Sequence, residues 1–148
     1  MKTIKDYFDI QELVCKDVYV RFGERAWAFF DERLLWTLLF IRQAINKPIY
    51  VNNWQIGGNL KERGLRCNLC NIVDSKTASH IPYISPHVQG QAVDFNVTGM
   101  TSEQVQQWLR NNKHLLPYPI RMELNTSTWT HIDMRNDSKT EKLITFKA

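Results

Sequence analysis

The run Gly90-Gln91-Ala92-Val93-Asp94-Phe95 constrains the fold more than any other stretch of this chain. Side chains alternate across a β-strand, so Val93 and Phe95 share one face while Gly90, Ala92 and Asp94 share the other. Two large apolar residues on one face demand a core beneath them. On the opposite face a carboxylate stands beside Gly and Ala, where most strands carry β-branched or aromatic residues. That face gives up packing and clears room of the kind a bound ion and its water require. His87 lies just upstream in a turn opened by Ser85-Pro86, and Gly90 lets that turn bend back toward the strand.

The chain around this strand has 148 residues, enough for one domain to bury a hydrophobic core without disulfides. Its 43% hydrophobic and 23% charged residues are ordinary for a soluble globular protein. No stretch is apolar for long enough to cross a membrane. The opening MKTIKDYFDIQELVC breaks its apolar residues with Asp, Lys and Glu, so no signal peptide is expected and synthesis is read as cytoplasmic. A net charge of +4 suits an anionic polymer such as a cell wall but is too mild for a nucleic-acid-binding stripe. Three cysteines, Cys15, Cys67 and Cys70, are too few and too odd for a disulfide framework. Cys67-x-x-Cys70 has the spacing of half a zinc knuckle, yet no second Cys pair or close His pair follows. The two are read as unpaired thiols in a loop.

From about Glu24 to Asn46, Trp27, Phe30, Leu34, Leu38 and Ile41 recur at helical spacing, which predicts one long buried helix whose five aromatics belong to the core. Ile49 to Trp54 reads as a short strand. Gln55 to Ser85 reads as a long loop, a length that is usually functional or disordered. Ala92 to Val97 is a strand, and Thr101 with Gln104 makes a capping box that opens a helix to about Asn112. Ile120–Leu124 and Trp129–Arg135 flank the polar turn Asn125–Thr128 as a hairpin. With both apolar rows on one face, the simplest register sets Glu123 opposite His131 and Arg121 opposite Asp133. The fold class is α+β, a single domain with a long N-terminal helix packed on a small antiparallel sheet. Residues 1–47 form the N-terminal segment and core helix, 48–135 the metal-site core and 136–148 a C-terminal tail.

Two His and one Asp with a Glu beside them match the needs of a catalytic zinc site. Three protein ligands leave a fourth tetrahedral position for water, and a neighbouring carboxylate takes the proton and passes it to a leaving amine. The residues assigned are His87, Asp94 and His131 as ligands of one Zn2+ and Glu123 as the base. Asp133 either orients a ligand His or pairs with Arg121, the latter being preferred. His131-x-Asp133 is also the first half of an iron(II) triad of two His and one carboxylate, but no second His follows it.

Ser85 to Asp94, S-P-H-V-Q-G-Q-A-V-D, resembles the S-x-H-x-x-G-x-A-x-D signature of the zinc D-alanyl-D-alanine carboxypeptidase superfamily. That group includes bacterial and phage peptidoglycan peptidases and the hedgehog signalling domain. Trp129-Thr130-His131 is similar to its W-x-H, which carries the third ligand. The stretch Asn52 to Arg66 resembles the segment that brings an Arg toward the site in phage-type members. The resemblance covers roughly Tyr50 to Arg135. It implies a hedgehog-like or DD-peptidase-like fold and a zinc-bound water that attacks a peptide bond in a cell-wall stem peptide. It also implies access to the wall through lysis or virion delivery. Many members carry the catalytic Glu three residues before the last His, where this chain has Thr128. Glu123, eight residues before His131, is closer to the hairpin arrangement of hedgehog-like and phage-type relatives.

Arg66, and after it Arg63, is assigned to stabilise an oxyanion or hold a substrate carboxylate, the alternative being a solvated surface arginine. Ser85 shapes the His87 turn or touches substrate, and Trp129 lines a substrate groove or caps the core. A monomer acting on a peptidoglycan peptide is expected, with no nucleic-acid or membrane partner. The rival reading is a hedgehog-like zinc-binding module that hydrolyses nothing.

Overall fold

Asp31 decides where the long helix begins. In the computed structural model, which describes residues 1–148, the first helix α1 spans Lys16–Phe22 and a 3-10 run follows over Gly23–Phe29. Phe30 and Asp31 are extended, and only then does α2 run from Glu32 to Ile45. The Asp31 carboxylate accepts from the Arg33 N–H at 3.0 Å, and the Asp31 N–H donates to the Gly90 carbonyl at 3.0 Å. A short carboxylate competes for backbone donors, which favours the N-cap over the helix interior. The single helix expected from about Glu24 is therefore two separate elements.

The split corrects the expectation about the aromatics. Only Phe30 of the five is buried; Trp27 and Phe40 are half-buried, and Phe29 and Trp36 are 40% and 53% exposed. Trp36 sits two positions from both Leu34 and Leu38, so it points away from the face that packs. That face buries Leu34, Thr37, Leu38, Leu39 and Ile41. Asn46 ends the helix in the left-handed conformation, at φ 55°, just before Lys47-Pro48. No helix is long and apolar enough to cross a membrane.

Five strands form one sheet: β1 Ile49–Tyr50, β2 Ala92–Val97, β3 Ile120–Glu123, β4 Thr130–Asp133 and β5 Leu143–Phe146. Their order is β1-β2-β4-β3-β5. β5 runs parallel to β3, so the sheet is mixed, where a wholly antiparallel one was expected. Leu143–Phe146 of the supposed tail thus forms an edge strand. The predicted strand from Ile49 keeps only two residues. Asn52 turns its N–H to the Glu12 carbonyl at 2.9 Å, and Trp54 starts a 3-10 turn. The predicted loop from Gln55 to Ser85 contains a helix, α3 Asn71–Ala78, which buries only Val73 and so leaves little apolar signal.

The strand pattern places the two faces as the alternation requires. Val93, Phe95, Ile120, Met122 and Ile132 are at most 1% exposed and join one core, onto which α4, Ser102–Asn111, adds Val105 and Leu109. The opposite face carries Ala92, Asp94, Arg121, Glu123, His131 and Asp133. Asp94 pairs with His131 and Ala92 with Asp133 across β2 and β4, while Arg121 pairs with Asp133 across β3 and β4. Continuing that last register by two residues sets Glu123 opposite His131. The Thr101 capping box at the start of α4 is present as read, with Gln104 N–H donating to Thr101 Oγ1 at 3.1 Å.

One further contact positions the site. The segment before α1 lies against residues 63–66: Val14 bridges Leu65, and the Leu65 N–H donates to the Leu13 carbonyl at 2.8 Å. A Cβ on Gly64 would stand 2.0 Å from the Leu13 oxygen, so only glycine allows that approach. On its other side the segment holds the chemical face of the sheet, the Arg63 carbonyl accepting from Asp94 N–H at 2.7 Å.

Candidate metal centre

His87, Asp94 and His131 come from a turn and two adjacent strands, and one ligand atom from each lies within 4.8 Å of the others. All three are buried, at 3%, 8% and 5% exposure. The turn that carries His87 is closed by its N–H to Ser85 Oγ at 3.2 Å and by Gln91 N–H to the Pro86 carbonyl at 2.8 Å. Gly90 bends it with φ +68°. Gly90 does not clear space beside Asp94, as the alternation implied. β2 begins at Ala92, and a Cβ on Gly90 would sit 2.1 Å from the Phe29 carbonyl. Ala92 does face the site, opposite Asp133, where its small side chain leaves that carboxylate its place.

The hydrogen bonds fix which ring nitrogens carry protons. His87 Nδ1 lies 2.9 Å from the Gly64 carbonyl, which can only accept, so Nδ1 is the donor and Nε2 keeps its lone pair. His131 Nε2 lies 2.8 Å from Asp133 Oδ2, and the three contacts from Arg121 to Asp133, at 3.0–3.1 Å, hold that group as a carboxylate. Nε2 of His131 is therefore a donor too. The remaining nitrogens both point at Asp94, His87 Nε2 at 3.3 Å from Oδ2 and His131 Nδ1 at 2.7 Å from Oδ1. Two lone pairs and a carboxylate cannot converge without a cation between them. The donor set fits a divalent cation with one open position, each imidazole being oriented through its second nitrogen. With no metal bound, a proton must serve.

Charge at the site follows the same logic. Burial acts against ionisation of Asp94, but the His131 hydrogen bond and the neighbouring His87 ring prevail and hold its pKa below the usual carboxylate range. For His131, burial favours the neutral ring, yet Asp133 and Asp94 on its two nitrogens raise its pKa to about 9. Asp133 is also lowered, since His131, Arg121 and the Arg135 N–H outweigh its burial. It both pairs with Arg121 and orients His131. The two readings of Asp133 are one arrangement.

The other assigned residues line two adjoining clefts. A cavity of about 260 Å³ is bounded by Ser85, His87, Asp94, Glu123, Trp129 and His131, together with Arg66. Arg66 is held firmly. Its Nη1 donates to Tyr83 Oη at 2.9 Å, its Nε to the Glu62 carbonyl at 2.6 Å, and its Nη2 lies 3.5 Å from Asp94. A second cleft of about 580 Å³ shares Arg66, Asp94 and Trp129 with the first and adds Lys61, Arg63 and Thr128. Arg63 is turned to Asn96, Nη2 to Oδ1 at 2.5 Å. Thr128 is exposed, and its carbonyl accepts from Asn96. Ser85 contributes to the turn through its Oγ and also reaches the cavity wall.

Sequence reasoning missed Gly64, Tyr83 and Phe146. Phe146 stacks edge-on to His131, with centroids 5.7 Å apart, and lies under Arg121 at 3.9 Å. Nothing local to these residues marks them, because each reaches the site through a long-range contact. Comparison with protein-family models, with curated proteins and with solved structures finds no match to this chain.

Proposed function

We propose that this chain is a zinc-dependent peptidase acting on peptidoglycan stem peptides, of D-Ala-D-Ala carboxypeptidase or endopeptidase type. The observation that carries the reading is the convergence of two tautomer-fixed imidazoles and a carboxylate beside Glu123 and Arg66 on one cavity wall. Two nitrogen donors and one oxygen donor with a free position suit zinc better than the oxygen-ligated calcium or magnesium. When bound there, zinc supplies Lewis-acid polarisation and lowers the pKa of a coordinated water toward about 7. Glu123 takes the proton from the attacking water and returns it to the leaving amine. Arg66, fixed by Tyr83 and Glu62, directs its guanidinium to the developing oxyanion or to a terminal carboxylate. Lys61, Arg63 and Arg66 line the larger cleft beside Glu62 and Asp94 and leave it a small positive excess for an acidic peptide. The Ser85–Asp94 motif and its resemblance to the DD-peptidase signature support the substrate class.

Glu123→Gln separates the two readings of the site. For a peptidase, the variant keeps its zinc and loses hydrolysis of purified peptidoglycan by about 10²–10⁴-fold. Undiminished turnover in Glu123→Gln would remove Glu123 as the base. Wild-type protein that holds zinc but releases no amino groups would favour a binding module.

A further inference from the structure

The three cysteines form a second cluster of candidate metal ligands. Cys15, Cys67 and Cys70 offer three sulfurs, all within 4.8 Å of one another. Cys15 lies 52 residues before Cys67, and the strand-like contact of Val14 with Leu65 brings it there. Cys15 Sγ and Cys67 Sγ are 3.5 Å apart, well beyond the roughly 2.05 Å of a disulfide. Thiolates arranged tetrahedrally about 2.3 Å from a zinc ion lie about 3.8 Å from each other, close to the separation found.

The local backbone is built as a thiolate knuckle. The Cys70 N–H donates to the Cys67 carbonyl at 3.1 Å, closing the Cys-x-x-Cys turn, and the Leu69 N–H donates to Cys67 Sγ at 3.4 Å. Cys15 and Cys70 are buried and Cys67 is half-buried, so the sulfurs form a pocket floor with one accessible member. A cavity of about 240 Å³ opens over Cys15 and Cys70, lined by Lys16 and Lys61 together with Asp17 and Glu62. No His, Asp or Glu side chain joins the three sulfurs in the cluster.

We propose that Cys15, Cys67 and Cys70 bind a thiophilic divalent cation of the zinc class as a structural site, independent of the His87–Asp94–His131 centre. Soft sulfur ligands select such ions, and the three thiols release their protons on binding. The site also matters to its neighbour. Cys67 follows Arg66 directly, and Gly64 holds His87, so a cation here pins the segment that carries both to the start of α1.

The test is cobalt titration of the full-length chain, made metal-free under reductant, followed by zinc. A thiolate-to-cobalt charge-transfer band should appear in the near ultraviolet and vanish when zinc is added. It should persist in His131→Ala, which disables only the other centre, and disappear in Cys67→Ser. Zinc should also protect all three thiols from alkylation in the wild type, which needs no variant to fold. A wild-type spectrum without that band, or one unchanged in Cys67→Ser, overturns the proposal. So does a chain whose three thiols are alkylated equally with and without zinc.

Discussion

Replacing Asp133 with Asn perturbs the centre without replacing a ligand. The Asp133 carboxylate is completely buried. Its Oδ1 accepts from Arg121 Nε at 3.1 Å and Arg135 N at 2.9 Å, and its Oδ2 from Arg121 Nη2 at 3.0 Å and His131 Nε2 at 2.8 Å. Every neighbour is a donor. An Asn side chain offers one oxygen and turns an NH2 toward donors on the other side, so it leaves about half of these bonds unmade. Two lost bonds to a charged group, at about 1.5 kcal/mol each, sum to about 3 kcal/mol of stability in the metal-free protein. His131 loses the partner that fixes its tautomer, and zinc affinity should fall about 10–100-fold, the usual effect of removing such a support. Urea unfolding of the chelated protein gives the first quantity and competition with a chromophoric chelator the second. Asp133→Asn with wild-type zinc affinity would refute the claim that this carboxylate sets which His131 nitrogen faces the metal.

Two further outcomes concern stability. With the metal removed, His131 has its pKa raised from 6.5 to about 9, so its contribution is complete below about pH 6.5 and lost as pH rises through about 9. The stability difference between wild type and His131→Gln, both metal-free, should therefore shrink by about 3 kcal/mol across that window, which chemical denaturation at stepped pH would measure. Gly90→Ala places a Cβ 2.1 Å from the Phe29 carbonyl at φ +68°, and should cost about 2 kcal/mol or more. Gly57→Ala, at φ +87° with open space around it, should cost only about 1 kcal/mol in the same denaturation assay.

Legibility in the sequence followed the range of the interaction. Local patterns carried β2, whose alternation separates the Val93–Phe95 face from Asp94, and α4, whose capping box is complete in four residues. The hairpin register was legible as well, because matching the apolar rows of β3 and β4 permits the pairing of Arg121 with Asp133 that is found. The helix from Glu24 failed because Asp31 interrupts a hydrophobic period that continues on both sides of it, and periodicity alone does not register an N-cap. β5 escaped notice because four residues parallel to β3 have no hairpin turn to announce them. The three residues that converge at the candidate centre, His87, Asp94 and His131, were readable from residue type and spacing. Their supports were not. Gly64 reaches His87 across 23 positions and Cys15 reaches Cys67 across 52, and only the folded chain brings them together.

The most direct test of the account is release of new amino groups from purified peptidoglycan by the zinc-loaded chain, with and without chelator. Chelation should stop that release and added zinc should restore it. A fully zinc-loaded chain that frees no amino groups from peptidoglycan would contradict it.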